Sequence, residues 1–179
     1  LGTGNDLISG RRKDFWEYDP ATNTWTQRAD FGGTARNGAI GFSIGLKGYL
    51  GVGNDGIYKK DFWEYDPATN TWVQKADFGG TARADAVGFS IGTKGYIGTG
   101  ADATGRKRDF WEYNPGTNTW VQKADFGGTA RFTLRDFLLA LKDTLEQAMI
   151  FPGLKKIFGN MIREQIPGFK KQILVERGV

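Results

Sequence analysis

Glu17, Glu64 and Glu112 stand in one setting, each inside the segment Asp-Phe-Trp-Glu-Tyr. Two carboxylates about 5–10 Å apart are the machinery of glycoside hydrolysis. That chemistry needs two different environments, so that one carboxyl keeps its proton while the other loses it. Identical settings give identical environments, and the three glutamates therefore read poorly as a catalytic pair. The chain has no His and no Cys. This excludes Ser-His-Asp and Cys-His nucleophile systems, zinc sites built on nitrogen and sulfur ligands, and disulfides. An enzyme is not expected, and neither a cofactor nor a metal site is expected.

Three other sets of residues could bind rather than react. Arg11-Arg12-Lys13, Lys59-Lys60 and Arg106-Lys107-Arg108 each precede one of the Asp-Phe-Trp-Glu-Tyr segments. Gathered on one face, their charges would attract a glycan or another polyanion. The plainer reading is solvated loops offset by the adjacent Asp14, Asp61 and Asp109. Nothing aims side chains at base edges, so no specific nucleic-acid partner is expected. Arg36, Arg83 and Arg131 close GGTAR segments, and Asp30, Asp77 and Asp125 precede the glycine pairs. These opposite charges suggest an ion-pair ring between repeats that fixes turns, in preference to a carboxylate clamp at a channel mouth. The aromatics Phe15, Trp16, Tyr18 and Trp25, with Trp63, Trp72, Trp111 and Trp120 in the later copies, could stack on sugars. Packing between repeats is the better reading, since each such side chain buries about 150–250 Å².

What positions these residues is a repeat. Asp14–Arg36, Asp61–Arg83 and Asp109–Arg131 are copies of one 23-residue segment, with starts 47 and 48 residues apart and two differences between neighbours. A period of that length means stacked supersecondary units that bury their faces on one another. Within a unit, Ala86–Ile91 is a short apolar strand, and Lys94–Gly100 reads as a second. Asp109–Tyr113 alternates aromatic and acidic residues as a third. Asn114–Asn118 is turn chemistry, Thr119–Phe126 is a fourth strand, and Gly127-Gly128 breaks it. Four short strands per repeat make a propeller blade.

These repeats resemble kelch repeats, in the bacterial style that carries DFWEYDPATNTW. The family spacing of Tyr, six residues, then Trp is met at Tyr18/Trp25, Tyr65/Trp72 and Tyr113/Trp120. The glycine pair that the family places after the second strand is interrupted here, as Gly51-Val52-Gly53 and Gly98-Thr99-Gly100. The resemblance covers residues 1–131 and implies a β-propeller. A copper oxidase among kelch-type relatives uses Tyr, His and Cys, and this chain cannot carry that site. Residues 1–33 supply the second to fourth strands of one blade, and residues 38–80 and 85–127 supply two whole blades. Such an open stack leaves two apolar faces and invites association.

After Arg131 the pattern changes. Residues 132–179 read as a separate module of two or three amphipathic helices. The first begins at an approximate capping box of Thr133 and Asp136, with Leu134, Phe137, Leu138, Leu141, Leu145 and Met149 on one face. Pro152-Gly153 opens a second, with Leu154, Ile157, Phe158, Met161 and Ile162. Pro167-Gly168 opens a third, with Phe169, Ile173 and Leu174. Lys155, Lys156, Lys170 and Lys171 opposite these stripes give a pattern also seen in helices at membrane surfaces. Packing of the helices as a bundle or on a blade face is preferred, and membrane association is left open. No family resemblance is seen in this segment.

The chain has 179 residues and a net charge of +4, with no apolar run near the roughly 18 residues of a membrane span. It starts at Leu1, inside a repeat, as a processed, truncated or engineered chain would. The compartment is left open; an exported or cell-surface bacterial protein is allowed. The expected fold class is mainly β: about three four-stranded antiparallel kelch-type propeller blades, the first incomplete, plus a C-terminal α-helical module. The expected role is a non-catalytic interaction or structural scaffold. Its partner is protein, either the chain itself as a homo-oligomer or the remaining blades of a ring. A glycan- or polyanion-binding propeller is the alternative.

Overall fold

The structure, a computed structural model, describes residues 2–6 and 10–131. The helical module expected at 132–179 lies outside the described residues. Among those described there is no helix, and the chain is built from antiparallel sheets.

The first sheet joins β1 (Gly2–Asp6), β2 (Gly10–Asp19) and β3 (Thr24–Arg28). The second has β4 (Ile40–Ile44), β5 (Lys47–Gly51), β6 (Phe62–Asp66) and β7 (Thr71–Lys75), paired in sequence order. The third pairs β8 (Val87–Ile91), β9 (Lys94–Gly98), β12 (Phe110–Asn114) and β13 (Thr119–Lys123) in the same way. Between its middle strands, β10 (Ala101–Asp102) and β11 (Gly105–Arg106) form a small hairpin. The sheets have the form of propeller blades, each a meander of short strands.

Local chemistry accounts for the meander. Tight turns close β4–β5 and β8–β9 at Gly45 and Gly92, both at φ 57°. The outer hairpins turn through Asn23, Asn70 and Asn118, at φ 53–55°, a left-handed conformation that Asn tolerates. Each Asn also accepts a hydrogen bond from the hydroxyl of Tyr18, Tyr65 or Tyr113 at 2.8–2.9 Å. Those tyrosines pair across the hairpin with Trp25, Trp72 and Trp120. The Tyr–Trp spacing is thus the register of a hairpin whose turn is pinned by its own strand.

Three expectations are corrected. The first sheet does not contain a full second strand of its blade. Only Gly2 keeps that register, facing Phe15 as Gly51 faces Phe62, and after a bulge the rest of β1 pairs with Gly10–Arg12 as a hairpin. The second strands end at Gly51 and Gly98, short of Gly100, because Val52 and Thr99 turn to φ 52° and 60°. The fourth strand ends at Lys123, three residues before Phe126.

The core lies between the second and third blades. Ile40, Ile44, Tyr49, Val52, Phe62, Phe78, Ile97 and Tyr113 are all buried there. Side chains of β4 press so close on the third blade that a Cβ at Gly95 would lie 2.4 Å from the Phe42 ring.

Candidate functional site

The strands alternate, and alternation sends successive aromatics to opposite neighbours. Phe62 faces forward onto Tyr113 and Trp120 of the third blade, with ring centroids 4.9 and 5.0 Å apart. Tyr65, Trp63 and Trp72 face back, against Phe15 and Phe31 of the first blade. Phe78 repeats this against Trp111 and Trp120. The edge-to-face geometry is the favoured one for aromatic pairs. Four of the six tryptophans therefore sit between described blades. Trp25 packs on Tyr18 of its own blade and is 53% exposed, and the Trp16 indole donates to Asp14 at 2.7 Å.

The repeated ionic residues form a clasp between blades. Arg36 is fully buried and reaches the second blade, donating to both carboxylate oxygens of Asp61 at 2.5 and 2.8 Å. Its Nη1 also donates to the Val52 carbonyl at 3.0 Å. Arg83 does the same to Asp109, at 2.6 and 2.7 Å, and to the Thr99 carbonyl at 2.9 Å. Each guanidinium lies over the Phe of its own blade, Phe31 or Phe78, 4.9 Å from the centroid. Val52 and Thr99 are β-branched residues held at positive φ, an uncommon and strained state. The strained turn coincides with the site where their carbonyls meet the guanidinium. Burial pushes the Asp61 and Asp109 carboxyls up, but Arg36 with Trp63, and Arg83 with Trp111, outweigh it and hold both below the ordinary value.

The arginines do not pair with the aspartates ahead of the glycine pairs. Asp77 takes Lys60 at 3.9 Å and Asp125 takes Arg108 at 3.1 Å. Asp61 and Asp109 are bound to the clasp, so they are not the carboxylates that offset the basic loops. Other acids do so. Lys59 pairs with Asp55 and Lys107 with Asp102, each at 2.9 Å, and Arg12 pairs with Asp6. Asp55 and Asp102 also accept from Thr34 and Thr81 of the preceding blade at 2.7 Å. Lys59, then Thr34, hold the Asp55 carboxyl well below its usual range. At Asp102, burial opposes Lys107, Thr81 and Thr104, and the result is again a strong lowering. Arg11 donates to the Asn54 amide oxygen at 3.2 Å, so the first two loops touch. Lys13 and Arg106 are exposed.

Glu64 accepts from the Tyr49 hydroxyl at 2.6 Å and pairs with Lys75 at 3.4 Å; Glu112 accepts from Tyr96 at 3.0 Å and pairs with Lys123 at 3.2 Å. Glu17 pairs with Arg28 at 2.7 Å. Lys123, and with it Tyr96, keeps the Glu112 carboxyl below its ordinary value, a state unsuited to donating a proton. Burial and the Glu64 hydrogen bond drive the Tyr49 hydroxyl upward. Among the described residues no three carboxylates converge as metal ligands.

Sequence reasoning missed the carbonyls of Val52 and Thr99 as half of the clasp. The only signal was a β-branched residue between two glycines, at Gly51-Val52-Gly53 and Gly98-Thr99-Gly100.

Comparison of the sequence with protein-family profiles and with curated proteins gives no match. The solved structure of YjhT is similar in fold: TM-score 0.59 at 17% identity, covering 73% of this chain and 52% of YjhT. The chain thus spans about half the length of that protein. In all, 143 solved chains match, and at 17% identity the likeness to YjhT is one of fold. The fold is mainly β, with antiparallel sheets of the propeller-blade type.

Proposed function

We propose that the chain is a non-catalytic interaction scaffold built from kelch-type blades, working with protein partners that complete its stack. The observation that supports this is the repeated structural use of charged side chains in the second and third blades; Glu17 departs from the expected identity of the three glutamates, since it is exposed and paired with Arg28. Arg36 and Arg83 bind Asp61 and Asp109 in the same geometry, and Glu64 and Glu112 share one Tyr–Lys setting. A catalytic centre needs carboxyls in unlike environments. The kelch assignment rests on the Tyr–Trp spacing and the three DFWEY segments.

Two assays test the reading. Purified chain is incubated with chromogenic glycosides beside Glu112→Gln; no turnover is expected, and turnover lost in the variant would sink the non-catalytic role. Heparin chromatography probes the loops. Elution no later than a control protein of equal charge is expected. Retention that persists to higher salt and falls in Arg106→Ala with Lys13→Ala would favour the polyanion-binding alternative.

A further inference from the structure

We propose that Asn37-Gly38, just ahead of β4, is a site of spontaneous deamidation, at which the Gly38 nitrogen displaces the Asn37 side-chain amide and the chain beside the first clasp is slowly remodelled. The inference is independent of what the scaffold binds.

Asn37 is the one asparagine in the chain that glycine follows. Glycine has no Cβ to shield its nitrogen from the side chain before it. The fold keeps glycine at this place. Gly38 stands at φ 61°, and a Cβ on it would lie 2.8 Å from Asp85 Oδ1 and 3.0 Å from the Ala84 Cβ. Both reacting groups are also uncommitted. Asn23, Asn54, Asn70, Asn114 and Asn118 each accept a hydrogen bond at Oδ1, which holds the amide in place. The Asn37 amide and the Gly38 N–H make no hydrogen bond among the described residues, and both residues are half-buried.

The reaction needs only water. The Gly38 nitrogen bonds to the Asn37 Cγ, the Cγ–Nδ2 bond breaks, and the Gly38 proton leaves with the ammonia. Water then opens the succinimide ring at one carbonyl or the other, giving aspartate or isoaspartate. In isoaspartate the main chain runs through Cγ and is one carbon longer. Backbone pairing gates the step. Asn37 and Asn54 form an isolated antiparallel bridge, with N–H to carbonyl distances of 3.0 and 2.8 Å. Ring closure turns the Asn37 carbonyl away from this extended arrangement, so the bridge must open first. It lies outside the strands, since β4 begins at Ile40, and its opening is local. Isoaspartate prevents the bridge from re-forming, one residue away from the buried Arg36.

Two places in the same molecule serve as comparisons. Asp55-Gly56 could close the same ring, but only through a neutral carboxyl. Lys59 and Thr34 bind the Asp55 carboxylate at 2.9 and 2.7 Å and keep it ionised, which slows that route. In the third blade Ala84 takes the place of Asn37 and makes the same bridge with Ala101, at 3.0 and 2.9 Å. Asn37→Ala is therefore expected to melt as the wild type does.

The test ages the full chain in mildly alkaline buffer, folded and also unfolded in urea, and maps acid gain by peptide mass spectrometry with detection of isoaspartate. The folded wild type is expected to convert first at residue 37, at least ten-fold more slowly than the unfolded chain, with isoaspartate among the products. Asn37→Ala is expected to lose that early conversion. Aged wild type is expected to melt below fresh protein, and aged Asn37→Ala to melt unchanged. A folded chain that keeps Asn37 intact after the unfolded chain has converted overturns the proposal. So does a first conversion at any other asparagine or at Asp55.

Discussion

The clasp arginine is the residue that most depends on its partner. Arg36 is buried to 1% exposure while the Asp61 side chain keeps 21%. Asp61→Asn would leave a buried guanidinium facing a neutral amide. Breaking a buried pair from one side costs about 3 kcal/mol at the low end of the usual range, which suits a carboxylate still in touch with water. Chemical denaturation of Asp61→Asn is expected to show that loss. Asp14→Asn, where the carboxylate accepts from the Trp16 indole and no clasp arginine meets it among the described residues, is expected to change stability by no more than about 0.5 kcal/mol. The same clasp gives an acid limb to stability. The Asp61 and Asp109 carboxyls are depressed on folding, so their contribution is present above the ordinary value of 3.8 and is lost as pH falls through the folded value. At the other limb, burial raises the Tyr113 hydroxyl from 10.0 to about 12. Its contribution is intact below pH 10 and is lost as pH climbs from there through about 12. Equilibrium unfolding across pH checks both limbs, and Asp61→Asn is expected to flatten the acid one.

At the scale of the element, the joint between sheets is a fit of indole to backbone. A methyl group added at Gly79 would sit 2.6 Å from the six-membered ring of Trp111, a rigid body already packed on Phe78. Overpacking of this kind costs about 1–3 kcal/mol. Gly79→Ala is expected to lower the melting temperature accordingly, with near-ultraviolet circular dichroism reporting the displaced tryptophan. Much of this was legible in the sequence. The period, the four-strand meander and the turn at Asn118 all follow from local residue patterns, which repeat and so reinforce one another. The clasp was not legible. Each repeat offers an Asp before Phe-Trp and another before Phe-Gly-Gly, and nothing local says which one Arg36 will meet across 25 residues. The choice is made by the strained turn at Val52, which brings a carbonyl beside Asp61 and so completes a site for one guanidinium. The hairpin of Asn5 and Arg11 was hidden for a related reason, since its loop length differs between copies and breaks the repeat.

For the whole molecule, the two clasps are one contact repeated at successive joints. Arg36 with Asp61 ties the first sheet to the second, and Arg83 with Asp109 ties the second to the third. Each joint lies within the chain, so its contribution is the same at any dilution. In a repeat array, stability is approximately a sum of unit terms and nearest-neighbour terms. Asp61→Asn and Asp109→Asn are therefore expected to lower stability by similar amounts, and the double substitution by their sum to within about 0.5 kcal/mol. Chemical denaturation of the three variants checks this. A double variant that departs further from the sum would show that the second blade couples the two joints, since it holds the acceptor of one clasp and the arginine of the other.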